Sequence, residues 1–216
     1  MRKLSLVIFV FSVVFLLGTA YATTFNFIPN PADLGDLDHS YYYSWKISWT
    51  VPSGEEIIGA TLQFDDICNW AYETNDRLYI HLLDEPPTTY PFQLVNSGGN
   101  VWRAWDNQNT GDSFSGQGVK VVDPYWTDTG DTVPKDISFN FSEVLVNTLK
   151  SYVADGIFGF GFDPDCHYWN NGVMLTVYTK LPYEEPPIPE PGTLILLGTG
   201  LAGLAGYARF RLRRRK

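Results

Sequence analysis

Residues 41–51 read Tyr41-Tyr42-Tyr43-Ser44-Trp45-Lys46-Ile47-Ser48-Trp49-Thr50-Val51. Tyr41, Tyr43, Trp45, Ile47, Trp49 and Val51 fall on one side of an extended chain, and Tyr42, Ser44, Lys46, Ser48 and Thr50 on the other. A strand with one face in a core needs this period of two. Pro52-Ser53-Gly54 then turns the chain. Ile58, Ala60, Leu62 and Phe64 form a second alternating set, with Thr61 and Gln63 opposite, and Asp65-Asp66 ends its regularity although Ile67 and Trp70 keep the segment partly apolar. A third strand is expected from Arg77 to Leu83, with Leu78, Ile80 and Leu82 facing in and Tyr79 and His81 facing out.

Outward from these three strands the pattern loosens and then returns. Thr23 to His39 reads as an irregular leader, with Asn30-Pro31, Asp33, Asp36 and Asp38 as turn formers. Downstream, Asp84 to Thr89 is a loop around Pro86-Pro87, and Gln93 to Trp105 offers a hairpin through Ser97-Gly98-Gly99-Asn100. Gly111 to Gly118 is a further turn before a strand at Val119–Val122. Ile137, Phe139 and Phe141 alternate again, after which Leu145, Leu149 and Tyr152 recur at helical spacing, with Val144 and Val153 alongside. Ser142 is placed as the N-cap of this helix, Glu143 sits in its first turn, and Gly156 follows as a stop. Two closing strands, Ile157–Phe162 and Val173–Leu181, complete the set. Many short strands and one short helix predict an all-β fold, an antiparallel sandwich of jelly-roll type; an α+β domain with a single packed helix is the alternative. An aromatic share of 16% suits a sandwich core, because each ring buries much area per position.

Both ends of the chain differ from its middle. Arg2 and Lys3 precede an apolar run from Leu4 to Leu17, and Ala20-Tyr21-Ala22 supplies the small-x-small pattern read by signal peptidase, so residues 1–22 are expected to be a signal peptide cleaved after Ala22. Residues 23–181 then form one extracytoplasmic domain, and 182–188 a stiff Pro/Glu linker. At the far end come Pro189-Glu190-Pro191, an uncharged run from Thr193 to Ala208, and the cations Arg209, Arg211, Arg213, Arg214, Arg215 and Lys216. Residues 193–208 are expected to be a short transmembrane helix, since a span takes about 20 apolar residues, with 209–216 as a cytoplasmic basic stop.

The order of these last parts resembles the PEP-CTERM sorting signal of Gram-negative bacteria that make exopolysaccharide. The resemblance covers residues 189–216 and leaves the central domain unmatched to a named family. It implies that an exosortase, an integral-membrane enzyme of cysteine-transpeptidase type, recognises Pro189, Glu190 and Pro191 and cuts at or near them. It further implies export through the inner membrane, transient anchoring there by the C-terminal helix, and a final place in the outer envelope or extracellular matrix. An ordinary tail anchor is the alternative.

Eight of the fifteen basic residues lie in the two ends, so Thr23 to Ile188 holds 7 Lys/Arg against 23 Asp/Glu, a formal charge of −16. Such a surface repels phosphate backbones and excludes nucleic acid as a partner, while favouring cations and neutral or cationic polymers.

Cys68 and Cys166 are the only two cysteines, and in an exported protein they are expected to form one disulfide. That bond would bring together two acidic loops, Asp65-Asp66-Ile67-Cys68-Asn69-Trp70 and Asp163-Pro164-Asp165-Cys166-His167-Tyr168-Trp169-Asn170-Asn171. Asp65, Asp66, Asp163 and Asp165, with Asn69 and Asn171, are hard oxygen donors of the kind calcium takes from several loops at once. Asp and Asn also serve ordinary turns, so calcium remains a candidate cofactor beside that plainer reading. Zinc through Cys68, Cys166 and His167 would require thiols in the wrong compartment. Trp70, Tyr72, Tyr168 and Trp169 in the same loops are candidates for stacking on sugar rings; the alternative is that they cap the sandwich.

No enzyme is expected. Carboxylate pairs for a glycan-active hydrolase are abundant in so acidic a chain, and spacing selects none. Gly111-Asp112-Ser113-Phe114-Ser115 misses the last position of the nucleophile-elbow motif, no zinc-protease or phosphate-loop motif is present, and His39, His81 and His167 stand apart in sequence, His81 as a surface residue of its strand and His39 in a turn. Two functional expectations follow. The domain binds or associates with extracellular polysaccharide, or it is a purely structural, adhesive envelope protein without sugar binding.

Overall fold

A computed structural model describes residues 22–70, 76–106, 111–128, 132–182 and 191–214. The signal-peptide assignment lies almost wholly outside these residues, as do Tyr72, the linker residues 183–188, Pro189, Glu190, Arg215 and Lys216. Contacts divide the chain into two units, 1–182 and 183–216.

The first unit is a sandwich of two antiparallel sheets, as the alternation predicts. β1 (Ala22–Phe27), β3 (Glu56–Asn69), β8 (Lys135–Asn140), β10 (Tyr168–Trp169) and β11 (Gly172–Lys180) form one sheet. β3 is its hub: Leu62 faces Leu175 of β11 on one side and Phe139 of β8 on the other. β10 continues along the β11 side, with Trp169 opposite Cys68 and Gly172 opposite Asp65. The other sheet runs in the order β5 (Gln93–Leu94), β6 (Val101–Trp105), β2 (Tyr41–Ser48), β9 (Ile157–Pro164), β4 (Leu78–Leu83), β7 (Val119–Lys120). Between the sheets, Tyr43, Trp45 and Ile47 of β2 and Phe158, Phe160 and Phe162 of β9 meet Ala60, Leu62 and Phe64 of β3 and Val173, Leu175 and Val177 of β11. Phe64 sets its edge against Phe162, ring centroids 5.9 Å apart, and Trp45 stacks on Phe160 at 5.6 Å. α1 (Glu143–Tyr152) buries Leu145, Val146 and Leu149. Its N-cap Ser142 accepts a hydrogen bond from the Leu145 amide, and Gly156 closes the following 3-10 turn at φ +88°.

Four local expectations are corrected. The irregular leader contains β1, an edge strand zipped along β11 from Ala22–Lys180 to Phe27–Leu175. Ile57 is buried and Ile58 exposed, because the β3–β11 register shifts between Tyr178 and Thr179 and turns Ile57 inward. Tyr79 and His81 do not reach solvent: the outer face of β4 and β9 is covered by residues 111–118, whose Phe114 is fully buried over Gly161. A Cβ at Gly161 would lie 2.7 Å from that ring, so the loop seats only on a glycine. His81 is held there through Nδ1, 2.8 Å from the Gln117 carbonyl, and Nε2, 3.1 Å from Asp112 Oδ2.

The fourth correction concerns the second unit. Its helix, α2 (Pro191–Arg213), does form where a transmembrane segment was expected at 193–208. Among the described residues, however, no helix is long and apolar enough to cross a membrane. The uncharged stretch is only sixteen residues, diluted by Gly198, Gly200, Gly203, Gly206 and Thr199, and Arg209 ends it.

Candidate functional site

The expected disulfide is absent: Cys68 and Cys166 are both buried thiols. The strand pleat explains why. Successive side chains of β3 leave opposite faces. Asn69 turns inward, where its Oδ1 accepts a hydrogen bond from the Cys166 thiol at 3.1 Å, so Cys68 must face the other way. Burial, with the charges of Asp128 and Asp66, pushes the Cys68 thiol above its ordinary range.

Without that bond the four candidate calcium carboxylates separate by sheet. Asp65 and Asp66 stay on the outer face of β3, whereas Asp163 lies on β9 and Asp165 just beyond it, both buried. β3 gains instead a carboxylate from β8. A shift in the β3–β8 register between Phe64 and Ile67 puts Asp66 at φ +49°, and its amide donates to Asp136 Oδ1 at 3.1 Å. Oxygens of Asp65, Asp66 and Asp136 come within 4.8 Å of one another, all on exposed residues. Asn171 Nδ2 donates to Asp66 Oδ2 at 2.8 Å. Desolvation, the hydrogen bond shared with Asp136 and the charges of Asp136 and Asp66 all raise the Asp65 carboxyl above its usual range. Three such oxygens offer a hard cation, or a ligand amine or hydroxyl, several acceptors at once.

The carboxylates border a cleft of ≈ 400 Å³ on the outer face of the first sheet. Gln63, Asp65, Asp136, Ser138, Asn171 and Met174 are among its lining residues, and Gly172 opens its floor. A Cβ at Gly172 would meet only Ala32, at 3.9 Å, so the space above it is free. Gln63 faces Met174 and Ser138 across the sheet, and Asp65 faces Gly172.

The aromatic residues continue this face. Trp169 stands opposite Cys68, and the Trp70 amide donates to the His167 carbonyl at 3.0 Å, two pairs further along. Cys68 and Trp70 are two apart on one strand, so Trp169, Trp70 and His167 all project from the side that bears Asp65. Trp70 is 57% and Trp169 51% exposed; the Trp70 and His167 rings lie 5.6 Å apart. Tyr168, the residue between, necessarily points the other way and is fully buried against Trp126, so it is no stacking platform. Burial drives its phenol far above the ordinary range.

Of the residues on this face, the sequence pointed to Asp65, Asp66, Asn171, Trp70 and Trp169 as candidates and did not point to Gln63, Asp136, Ser138 or Gly172. The alternation Ile137-Phe139-Phe141 does put Asp136 and Ser138 on the face away from the core. Only the β3–β8 pairing shows that this face adjoins Asp65.

Residues 187–215 match the family model described as the PEP-CTERM protein-sorting motif. The match supports an exported protein targeted to an exosortase, with processing associated with the membrane. It leaves residues 1–186 unmatched. No curated protein and no solved structure matches the chain.

Proposed function

We propose that the chain is a matrix or outer-envelope protein, released or transferred by the exosortase, whose sandwich holds extracellular polysaccharide on the outer face of its first sheet. The observation that carries this reading is the continuity of that face. Two half-exposed tryptophans, Trp70 and Trp169, lie in line with an open cleft bordered by Asp65, Asp136, Asn171, Gln63 and Ser138, with Asp66 hydrogen-bonded to Asn171 beside it. A pyranose has an apolar face that stacks on indole and a rim of hydroxyls that bond carboxylates and amides. The net charge of −16 between Thr23 and Ile188 selects neutral or cationic glycans over anionic ones. The role is binding, and no catalytic step enters it.

Pull-down of the full-length chain on exopolysaccharide and on a glycan array tests this. Trp169→Ala removes a stacking surface and should weaken retention about tenfold, the effect of losing roughly 1.4 kcal/mol. Gly172→Leu should do the same by filling the cleft, without strain, since nothing crowds that position. Retention unchanged in both variants, or no retention of any glycan by the wild type, would leave the structural, adhesive role in its place.

A further inference from the structure

The outer face of the first sheet is bounded along β3, and its bounds set the length of ligand it can take. Before Gln63 the face is closed. Thr61 and Thr176, paired across β3 and β11, are only 8% and 6% exposed. Their hydroxyls donate within the sheet, to Asn140 Oδ1 at 2.9 Å and Asn26 Oδ1 at 3.0 Å. Neither hydroxyl proton is left for a ligand. At Gln63 the face opens into the cleft of ≈ 400 Å³, which has room for more than one pyranose ring.

From the cleft a single antiparallel register carries the face to its other end. Asp65 pairs with Gly172 and Cys68 with Trp169, and the Trp70 amide bonds the His167 carbonyl in the same ladder. Asn171 and Asp66 fill the interval, joined at 2.8 Å. β3 ends at Asn69, and Trp70 stands just past it. Along an extended strand the seven steps from Gln63 to Trp70 cover about 20 Å, which is about four pyranose rings of an extended glycan at roughly 5 Å each. Trp169 and Trp70 are diagonal neighbours on adjacent strands, about 7 Å apart at their Cβ atoms. Each indole can therefore meet a different ring.

From this geometry, and resting on the polysaccharide reading, we infer that the face binds a run of about four contiguous sugar units of an extended chain. The cleft takes the units at the Gln63 end, and Trp169 and Trp70 stack on those at the other. A mono- or disaccharide reaches only one part of the face and is held weakly. The ligand class is thus a linear stretch of polymer, selected by length as well as by charge.

The polysaccharide that retains the full-length chain in the pull-down supplies the probe. Mild acid cuts it into oligomers from single sugars to octamers, which are separated by size and titrated into the full-length chain by calorimetry. Affinity should climb about tenfold to a hundredfold between dimer and tetramer, the gain from two aromatic contacts, and level off beyond the pentamer. In Trp70→Ala/Trp169→Ala that climb should disappear while the weak binding of dimers stays. Both side chains are about half exposed, so the fold does not depend on them; should the double variant nonetheless fail to fold, Trp70→Ala alone should show a smaller climb. A dimer bound as tightly as the tetramer, affinity still rising past the hexamer, or an equal loss at every length in the variant overturns the inference and leaves the polysaccharide reading standing. Retention of no glycan by the wild type removes both.

Discussion

Asp163 sits wholly inside the protein on the outer side of β9, and burial, reinforced by Asp106 and Asp165 against the help of Ser113, raises its carboxyl from 3.8 to about 7. A raised carboxyl pKa means that the folded chain holds this proton longer than the unfolded chain does. Below about pH 3.8 both states are protonated and the group is neutral toward stability. As pH climbs from there to about 7 the unfolded state ionises first and gains, so stability falls; above 7 the loss is complete. Its size is at most about 4 kcal/mol. Urea unfolding in EDTA between pH 4.5 and 8 should show a midpoint that declines with pH, and Asp163→Asn should flatten the decline and unfold later than wild type at pH 8. A parallel decline in the variant would show that Asp163 does not carry the effect. The sequence marks Asp163 only as a candidate ligand in an acidic loop; its burial depends on residues 111–118, where the Ser113 amide bonds it from 50 positions away and Phe114 closes over Gly161. Nothing in the local alternation announces such a lid.

The elements divide by how local their causes are. α1 was legible from end to end because its signals are contiguous: Ser142 caps it, Glu143 lies in its first turn, Lys150 in its last, and Gly156 takes the left-handed turn beyond. Ser142→Ala removes the acceptor for the Leu145 amide and should cost about 1 kcal/mol in a denaturant titration. A Ser142→Asp chain, which restores an acceptor and favours the helix dipole, should recover it; failure to recover would mean that the hydroxyl acts through some other contact. β2 and β4 were plain from their period of two, and β9 and β11 were expected as the two closing strands. β1 was missed because its partner is β11, about 150 positions later, and its own residues are mostly exposed or half-exposed at the sheet edge. The register shifts in β3 were missed for a related reason. An inserted residue looks like the end of alternation at Asp65-Asp66, and only the partner strand reveals that the strand resumes at Ile67. The same discontinuity moved Cys68 away from Cys166 and dissolved the expected bridge.

At the scale of the whole molecule the chain joins two kinds of information. The face bearing Trp70, Trp169 and the acidic triad is a product of folding, assembled from β3, β8, β10 and β11. The sorting motif at 187–215 is contiguous and readable before any fold exists, as an ordered set of residue types. Recognition of the motif therefore should not depend on the sandwich, nor the sandwich's binding on the motif. Replacing Pro189, Glu190 and Pro191 with alanines should leave the protein unprocessed, so that immunoblots of fractionated cells show the full-length species accumulating with the membrane and little mature product outside. Trp169→Ala, in the same cells, should be processed at the wild-type rate and fail only at retention in the matrix. Normal maturation of the triple-alanine chain would remove the exosortase from the pathway. Slowed maturation of Trp169→Ala would instead show that processing reads the folded domain as well as the tag, and the two halves would then have to be treated as one signal.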